Sequence, residues 1–496
     1  MEKQSENKSF RQSLGLFDAT MIVVGSMIGS GIFIVTSDIA RMLGSPIYIL
    51  LTWLITGFIT IIAALSYGEL AGMMPKAGGQ YVYLKESYNS MLGFLYGWTL
   101  FLVIQTGTIA AVAVAFAKFT GVLIPSLSEK NILLDISGFQ ISAAQLLAIV
   151  SLVLLTFINY RGIKNGKILQ KSFTIAKILA LTSLIIIGFY VAFNFNYWSE
   201  NFNNMWNAST TVIGSNNLIS IKNISGLAII AAIGVAMVGS VFSSDAWNNI
   251  TFIAGEIKNP KKNIPLSLLW GVLIVTVIYI LANVAYLGLL PINGSSEATD
   301  VIGRGIKFAA SERVGVAAAS QIFGGSAAII MSVLIMISTF GCNNGLILSG
   351  ARVYYAMAKD GLFFKKVSVL NKYAVPGIAL ILQCVWASIL CLSGKYGDLL
   401  DYVVFAVLLF YILTIIGLFI LRKKKPNAER PYKAFGYPFL PAIYIIIALA
   451  MCIDLLICKP NYTWPGVIIV IIGIPVYFIM KKSVITDKNE IKNNKK

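Results

Sequence analysis

The chain has 496 residues, 57% hydrophobic and only 12% charged, with a mean hydropathy of +0.80. Soluble proteins carry about 25% charged residues, so this composition argues against a water-soluble enzyme and excludes a disordered chain; five cysteines are too few for a disulfide scaffold. The chain has no histidine, which removes imidazole acid–base catalysis, histidine-ligated metals and Ser-His triads together.

A helical membrane span needs about 20 apolar residues. Twelve such segments are predicted, at 16–43, 46–73, 91–123, 140–160, 170–193, 225–254, 264–290, 321–356, 375–393, 399–421, 438–458 and 464–480. The first is too long, and its flank too mixed in charge, for a cleavable signal peptide. The cysteines all lie in apolar stretches and read as small packing residues.

The formal net charge of +18 raises nucleic acid as a partner. Its distribution decides otherwise. With the N-terminus placed in the cytoplasm, 29 of the 39 Lys and Arg residues fall inside, eight outside, and two, Lys118 and Lys177, at membrane depth. Such a bias predicts cytoplasmic termini at both ends. The basic charge is then an orientation signal, with attraction to lipid headgroups as a by-product, and no nucleic-acid partner is expected.

Segment 1 contains Gly25-Ser26-Met27-Ile28-Gly29-Ser30-Gly31-Ile32-Phe33. Three glycines and two serines within seven residues weaken a helix where lipid cannot replace lost hydrogen bonds. Irregular backbone at that depth must line a cavity or be buried in protein. Close helix packing through Gly25-xxx-Gly29 is the other reading. Segment 6 decides between them, because Ser243-Ser244-Asp245 reads as an N-cap inside an apolar stretch. A second half-helix is therefore expected from about Ala246. The two breaks lie five spans apart, in segments entering from opposite sides, as in an inverted five-plus-five repeat with a midplane site.

The chemistry expected there follows from helix ends. The first half of segment 1 should end near Met27-Ile28 and leave partially negative carbonyls. The second should start near Ser30-Gly31-Ile32 and offer free N–H groups. A zwitterion with ammonium and carboxylate on one carbon satisfies both. Gly29 and Gly31 allow close approach, and the carbonyls of Val241 and Phe242 add acceptors.

With these features in place, the chain resembles the amino acid–polyamine–organocation superfamily, and within it the L-type amino acid transporter family of bacterial type. The resemblance covers about residues 12–480. It rests on five motifs in order: residues 25–33; Tyr67-Gly68-Glu69-Leu70 with Pro75 to Tyr81; Trp247-Asn248 through Pro260; Ser338-Thr339-Phe340-Gly341 with Arg352 and Asp360-Gly361; and Glu429 to Lys433. It implies an all-α, twelve-helix, leucine-transporter-like fold that exchanges neutral L-amino acids without sodium. No enzyme activity, cofactor or metal is implied. Human relatives join a glycoprotein partner through a cysteine between helices 3 and 4; residues 124–139 contain none, so no disulfide-linked partner is expected.

The resemblance matches Lys177 to a lysine standing where sodium-coupled cousins bind a cation. It would bridge carbonyls near Gly25-Ser26 to Ser338 or Thr339, whereas a lysine two turns from a helix end can also snorkel. Phe242 matches a gating aromatic, with an ordinary core position as the alternative. Asp245 either caps the second half of helix 6 or contacts the substrate. Gln105, Thr108 and Asn248 are candidate pocket residues; Glu69 and Asp18 read as structural, and Lys118 as snorkelling.

The expected organisation is a tail at 1–13, repeats at 14–193 and 225–421 joined by an extracellular loop at 194–224, a basic loop at 422–437, two further helices at 438–480, and a tail at 481–496. A proton-coupled symporter, accepting cationic amino acids, stays open within the class. A membrane enzyme lacks a clustered polar set here. A channel would need a symmetric polar pore.

Overall fold

The computed structural model describes residues 10–136, 139–213, 219–393, 396–458 and 460–493. The tail at 1–9 with Lys3 and Lys8, the outer-side Lys395 and Lys459, and residues 494–496 lie outside the described residues.

Segment 1 is two helices, α1 (Leu16–Met27) and α2 (Val35–Leu43), joined by irregular chain and a 3₁₀ turn at Gly31–Phe33. Gly44 ends α2 in the left-handed conformation, φ +59°. Ser45 then caps α3 (Pro46–Met73), with proline in the first turn, where its missing N–H costs nothing. A short α4 (Gln80–Ser87) leads into segment 3. That segment is α5 (Ser90–Thr99), a π-helical turn at Leu100–Ile104, and α6 (Gln105–Leu123).

Segments 4 and 5 are α7 (Ala143–Tyr160), opened by a Ser142–Gln145 capping box, and α8 (Ile163–Ala192). Helix α8 starts seven residues before the predicted segment. Its first turns carry Lys164, Lys167 and Lys171, whose polarity concealed the helix; Lys164 and Lys171 are exposed, and Lys167 turns inward to Asp18 and Ser13.

A short α9 (Tyr197–Asn203) precedes segment 6, which begins as α10 (Leu227–Ser243). After a break the helix resumes only as the single turn α11 (Asn249–Phe252). Segment 7 is α12 (Pro260–Leu289). Past α13 (Val301–Arg304), segment 8 is α14 (Val314–Phe323) with α15 (Ala327–Lys359). The remaining spans are α16 (Gly377–Leu392), α17 (Tyr396–Lys424), α18 (Phe439–Cys458) and α19 (Pro460–Asn493).

Among the described residues, nine helices are long and apolar enough to cross a membrane, and three shorter apolar helices fall in the other predicted segments, 1, 6 and 9. Strand among the described residues is confined to two hairpins, Ile132–Ile136 with Phe139–Ser142 and Ala208–Ile213 with Ile219–Ile224. Apolar faces of α7 and α8 point outward, as a lipid-facing surface requires. Helices α1, α3, α8, α10, α12 and α15 pack around the two breaks. Gly25 lets α8 approach: a Cβ there would strike Gln170 and Thr174. The close-packing reading thus holds for Gly25, while the chain breaks just beyond it.

Buried charge closes the side on which segment 1 begins. Glu69 is fully buried and accepts from Arg422 Nε at 3.0 Å and Nη2 at 2.6 Å, and from the Ala434 amide at 2.7 Å, with Arg430 Nε at 3.2 Å. Glu69→Ala leaves Arg422 and Arg430 without their carboxylate. A stability loss of about 3 kcal/mol is expected, measured by thermal melting in detergent, with Glu86→Ala, whose pair with Lys425 is more exposed, costing less than about 1 kcal/mol.

Candidate functional site

The first break is held almost entirely from one direction. Helix α1 ends at Met27; Ile28 is extended, with φ −75° and ψ 104°. The carbonyls this exposes each receive a donor from another segment. Lys177 Nζ, on α8, donates to Gly25 O at 2.7 Å, Ile28 O at 2.6 Å and Ser338 O at 3.1 Å. Cys342 Sγ, on α15, donates to Ser26 O at 3.0 Å. The Tyr279 hydroxyl, on α12, reaches Met27 O at 3.3 Å. Ser338 Oγ reaches Gly29 O at 2.9 Å and Ile28 O at 3.2 Å. Lys177 is 1% exposed, so its ammonium does not snorkel to an interface.

The other half of the break is different. The amides of Gly29, Ser30, Gly31 and Ile32 donate to no protein acceptor among the described residues. Four adjacent N–H groups at a helical turn form a partially positive concavity suited to an anion. Ile28, Gly29, Ser30 and Ile32 are buried and Gly31 is partly exposed. The expectation that the carbonyls of this segment stand unpaired is corrected: each receives a donor from α8, α12 or α15, whereas the amides have no acceptor among the described residues.

Segment 6 meets segment 1 at this point. The single Tyr279 proton is shared between Met27 O at 3.3 Å and Ser243 O at 3.0 Å, a three-centre contact that ties the last turns of α1 and α10 together. A Cβ on Gly31 would collide with Ser243. The Val241 and Phe242 carbonyls accept the amides of Ser244 and Asp245 at 3.1 and 3.2 Å. Phe242 is half-buried beside the break.

Two expectations change. Asp245 does not cap a second half-helix: its Oδ1 accepts from the Tyr411 hydroxyl at 2.6 Å. Ala246 turns left-handed, φ +66°, and helix resumes only at Asn249. Thr339 does not reach Lys177, because its hydroxyl bonds back to Ile335 O at 2.7 Å within α15; Ser338 alone supplies that contact. Ser26 offers Cys342 its carbonyl, and its hydroxyl has no partner.

Gln105, Thr108, Asp245 and Asn248 line one cavity, with Gln80 and Tyr411. It lies between segments 3, 6, 8 and 10, on the side of the break from which segment 1 starts. Asn248 donates to Gln80 Oε1 at 2.9 Å, and Gln80 donates to Thr414 Oγ1 at 3.1 Å. Gln105 donates to Leu346 O at 2.8 Å. Below the cavity, Arg352 makes two bonds to buried Glu256 Oε1, at 3.0 and 2.9 Å. The chain at Ser13-Leu14 pairs with Glu256–Lys258 and closes that end.

Cys342, Tyr279 and Gln80 were not among the residues singled out from sequence. Cys342 and Tyr279 sit in apolar helical stretches with no local signal; Gln80 lies within the motif at Pro75–Tyr81 and was legible there. No group of three or more acidic or thiol side chains suited to a metal occurs among the described residues.

The amino acid permease family profile matches residues 14–479. Over 482 residues the chain is 29% identical to a serine/threonine exchanger of Bacillus subtilis, covering 96% of this chain and 99% of the relative. It is 30% identical over 474 residues to the large neutral amino acids transporter small subunit 2 of Homo sapiens, covering 95% and 81%. The b(0,+)-type amino acid transporter 1 of Mus musculus is 28% identical over 476 residues, covering 95% and 88%.

The Tyr279 hydroxyl bridges two broken helices, whereas the equally buried Tyr286 hydroxyl has no partner. Tyr279→Phe is expected to lower stability by about 1–3 kcal/mol, and Tyr286→Phe to leave it unchanged or raised. Paired melting curves in detergent compare the two.

Proposed function

The chain belongs to the amino acid permease family, a multi-pass membrane family, and from that premise we propose that it is a sodium-independent exchanger of neutral L-amino acids working by alternating access. The observation that carries this reading is the row of unpartnered amides at Gly29 to Ile32. They match an α-carboxylate. The Val241 and Phe242 carbonyls across the break suit the α-ammonium, and Phe242 is placed to gate the pair from the outer side. Relatives named as amino acid exchangers and transporters support the same substrate class.

Gln105, Asp245 and Asn248 would then face the substrate's path toward the inner side. Among the described residues Asp245 is the one carboxylate lining their cavity, and the Tyr411 hydroxyl engages it. The hydroxyl leaves the carboxylate's charge in place, so the neutral preference rests on the named relatives rather than on this residue. Lys177, with Gly25, Ile28 and Ser338, takes the place a coupling cation would need. A fixed ammonium there repels sodium.

We place the protein in the plasma membrane, and the distribution of Lys and Arg supports cytoplasmic termini at both ends. Residues 14–193 and 225–421 form the two inverted repeats, each opening on its broken helix. The 194–224 loop is extracellular, and the tails and the 422–437 loop are cytoplasmic. A disulfide-linked heavy chain has no cysteine to join between segments 3 and 4. A transporter has no need of a catalytic set, and no enzyme activity is assigned.

Uptake of radiolabelled amino acids into proteoliposomes tests the mechanism. Uptake should require internal amino acid and persist when choline replaces sodium. Uptake driven by a sodium or proton gradient into empty vesicles would overturn exchange. Gly29 tests the site: a Cβ there meets only Cys342 Sγ, at 3.6 Å. Gly29→Ala should therefore fold normally; it keeps its amide N–H, and its added methyl group should raise KM about tenfold by crowding a substrate bound against the backbone. An unchanged KM would show that no substrate group packs against Gly29.

A further inference from the structure

A second charged feature lies away from both breaks. On the side where segment 1 begins, a cleft is lined by Arg11, Arg161, Lys164, Lys167 and Lys372, with Tyr373. These residues converge from three stretches of chain: the approach to α1, the α7–α8 turn with the start of α8, and the loop before α16. Asp18 compensates one of the five cations, pairing with Lys167 at 2.7 Å. Among the described residues, Arg11, Arg161, Lys164 and Lys372 have no carboxylate partner. Arg161 lies over the Phe157 ring at 4.4 Å, and Lys372 over the Tyr373 ring at 5.1 Å. These ring contacts position the cations and leave their N–H groups available.

The cleft borders a lipid-facing surface. Phe157, Leu154 and Val153 on α7, Ile168 on α8 and Phe17 on α1 are each about half exposed. A cationic recess beside exposed apolar side chains matches a ligand with an anionic head and hydrocarbon tails. We propose that this cleft binds the phosphodiester headgroup of an anionic phospholipid, with its acyl chains along the outer faces of α7 and α8. A free phosphate would meet the same cations but would make no use of that apolar face. The bound headgroup also contacts the chain that closes the inner end of the cavity. Ser13 lines the cleft, its carbonyl accepts from Lys167 at 3.2 Å, and its amide donates to Glu256 O at 2.9 Å. Anionic lipid is thus coupled to that closure.

Native mass spectrometry of the full chain, released from nanodiscs of phosphatidylglycerol or of phosphatidylcholine, tests the proposal. Wild type should retain phosphatidylglycerol selectively. Arg161, Lys164 and Lys372 are exposed, so their substitution spares the core. The triple variant Arg161→Gln, Lys164→Gln, Lys372→Gln should bind phosphatidylglycerol about 100-fold more weakly at low salt, and Lys164→Gln alone about fivefold. A triple variant of exposed cations elsewhere on the same side (Lys258→Gln, Lys262→Gln, Lys423→Gln) should bind like wild type. Equal losses in both triple variants would mean diffuse surface attraction and overturn the proposal. So would equal retention of the two lipids by wild type, or displacement of phosphatidylglycerol by equimolar inorganic phosphate. The readout is lipid binding, so its outcome is independent of whether the protein exchanges amino acids.

Discussion

The structure depends on how a helix can be interrupted inside a membrane. Breaking α1 at Met27 exposes carbonyls where no water or lipid group can pair with them. The chain meets this with side chains rather than solvent. Lys177, Tyr279, Ser338 and Cys342 come from segments 5, 7 and 8, and together they serve every carbonyl from Gly25 to Gly29. An ammonium suits the centre of this array because it has three donors and no acceptor, and Lys177 spends all three on carbonyls. Helices α1, α8 and α15 are thereby tied at one atom, and Tyr279 adds α10 through Ser243.

The result is an asymmetric break. Its acceptor half is satisfied by the protein, and its donor half, the amides of Gly29 to Ile32, is not. A group that completes it must bring hydrogen-bond acceptors, and an anion suits the partially positive turn best. Segment 6 is interrupted differently: Ala246 turns left-handed and helix resumes only for one turn, from Asn249.

Much of this was legible in the sequence, and the parts that were not share a cause. Segment limits followed from hydropathy because membrane depth sets helix length; Pro46–Met73 was placed to the residue. The break in segment 1 was legible because glycine and serine cluster there. The partners of Lys177 were within reach, since a lysine at that depth needs acceptors and a broken helix provides them. Other features depend on long-range geometry. Cys342 and Tyr279 act across more than 250 residues of chain. Asp245 looked like an N-cap because Ser-Ser-Asp is a local signal, but Tyr411, 166 residues away, claims its carboxylate. The start of α8 was missed because a helix entering the headgroup region carries lysines that lower its hydropathy.

The buried charges divide by what must stay fixed and what must move. Glu69 and Glu256 are each held by arginine, whose planar fork defines one geometry. Both lie toward the end of the molecule closed by Ser13-Leu14, where opening would have to separate Glu256, Arg352 and the paired chain together. Lys177 is bonded to carbonyls instead, through a flexible four-carbon stem. A carboxylate partner in its place would hold α8 to one other side chain. Carbonyl acceptors let the ammonium follow the end of α1 through small rearrangements while keeping it satisfied. Covalent attachment of that charge to α8 also means that it cannot dissociate, unlike a bound ion. The break is then stabilised throughout a transport cycle, and the energy of an ion gradient has no entry at this position. With no ion gradient coupled at this position, accumulation of one amino acid has to draw on the gradient of another, which is what exchange supplies.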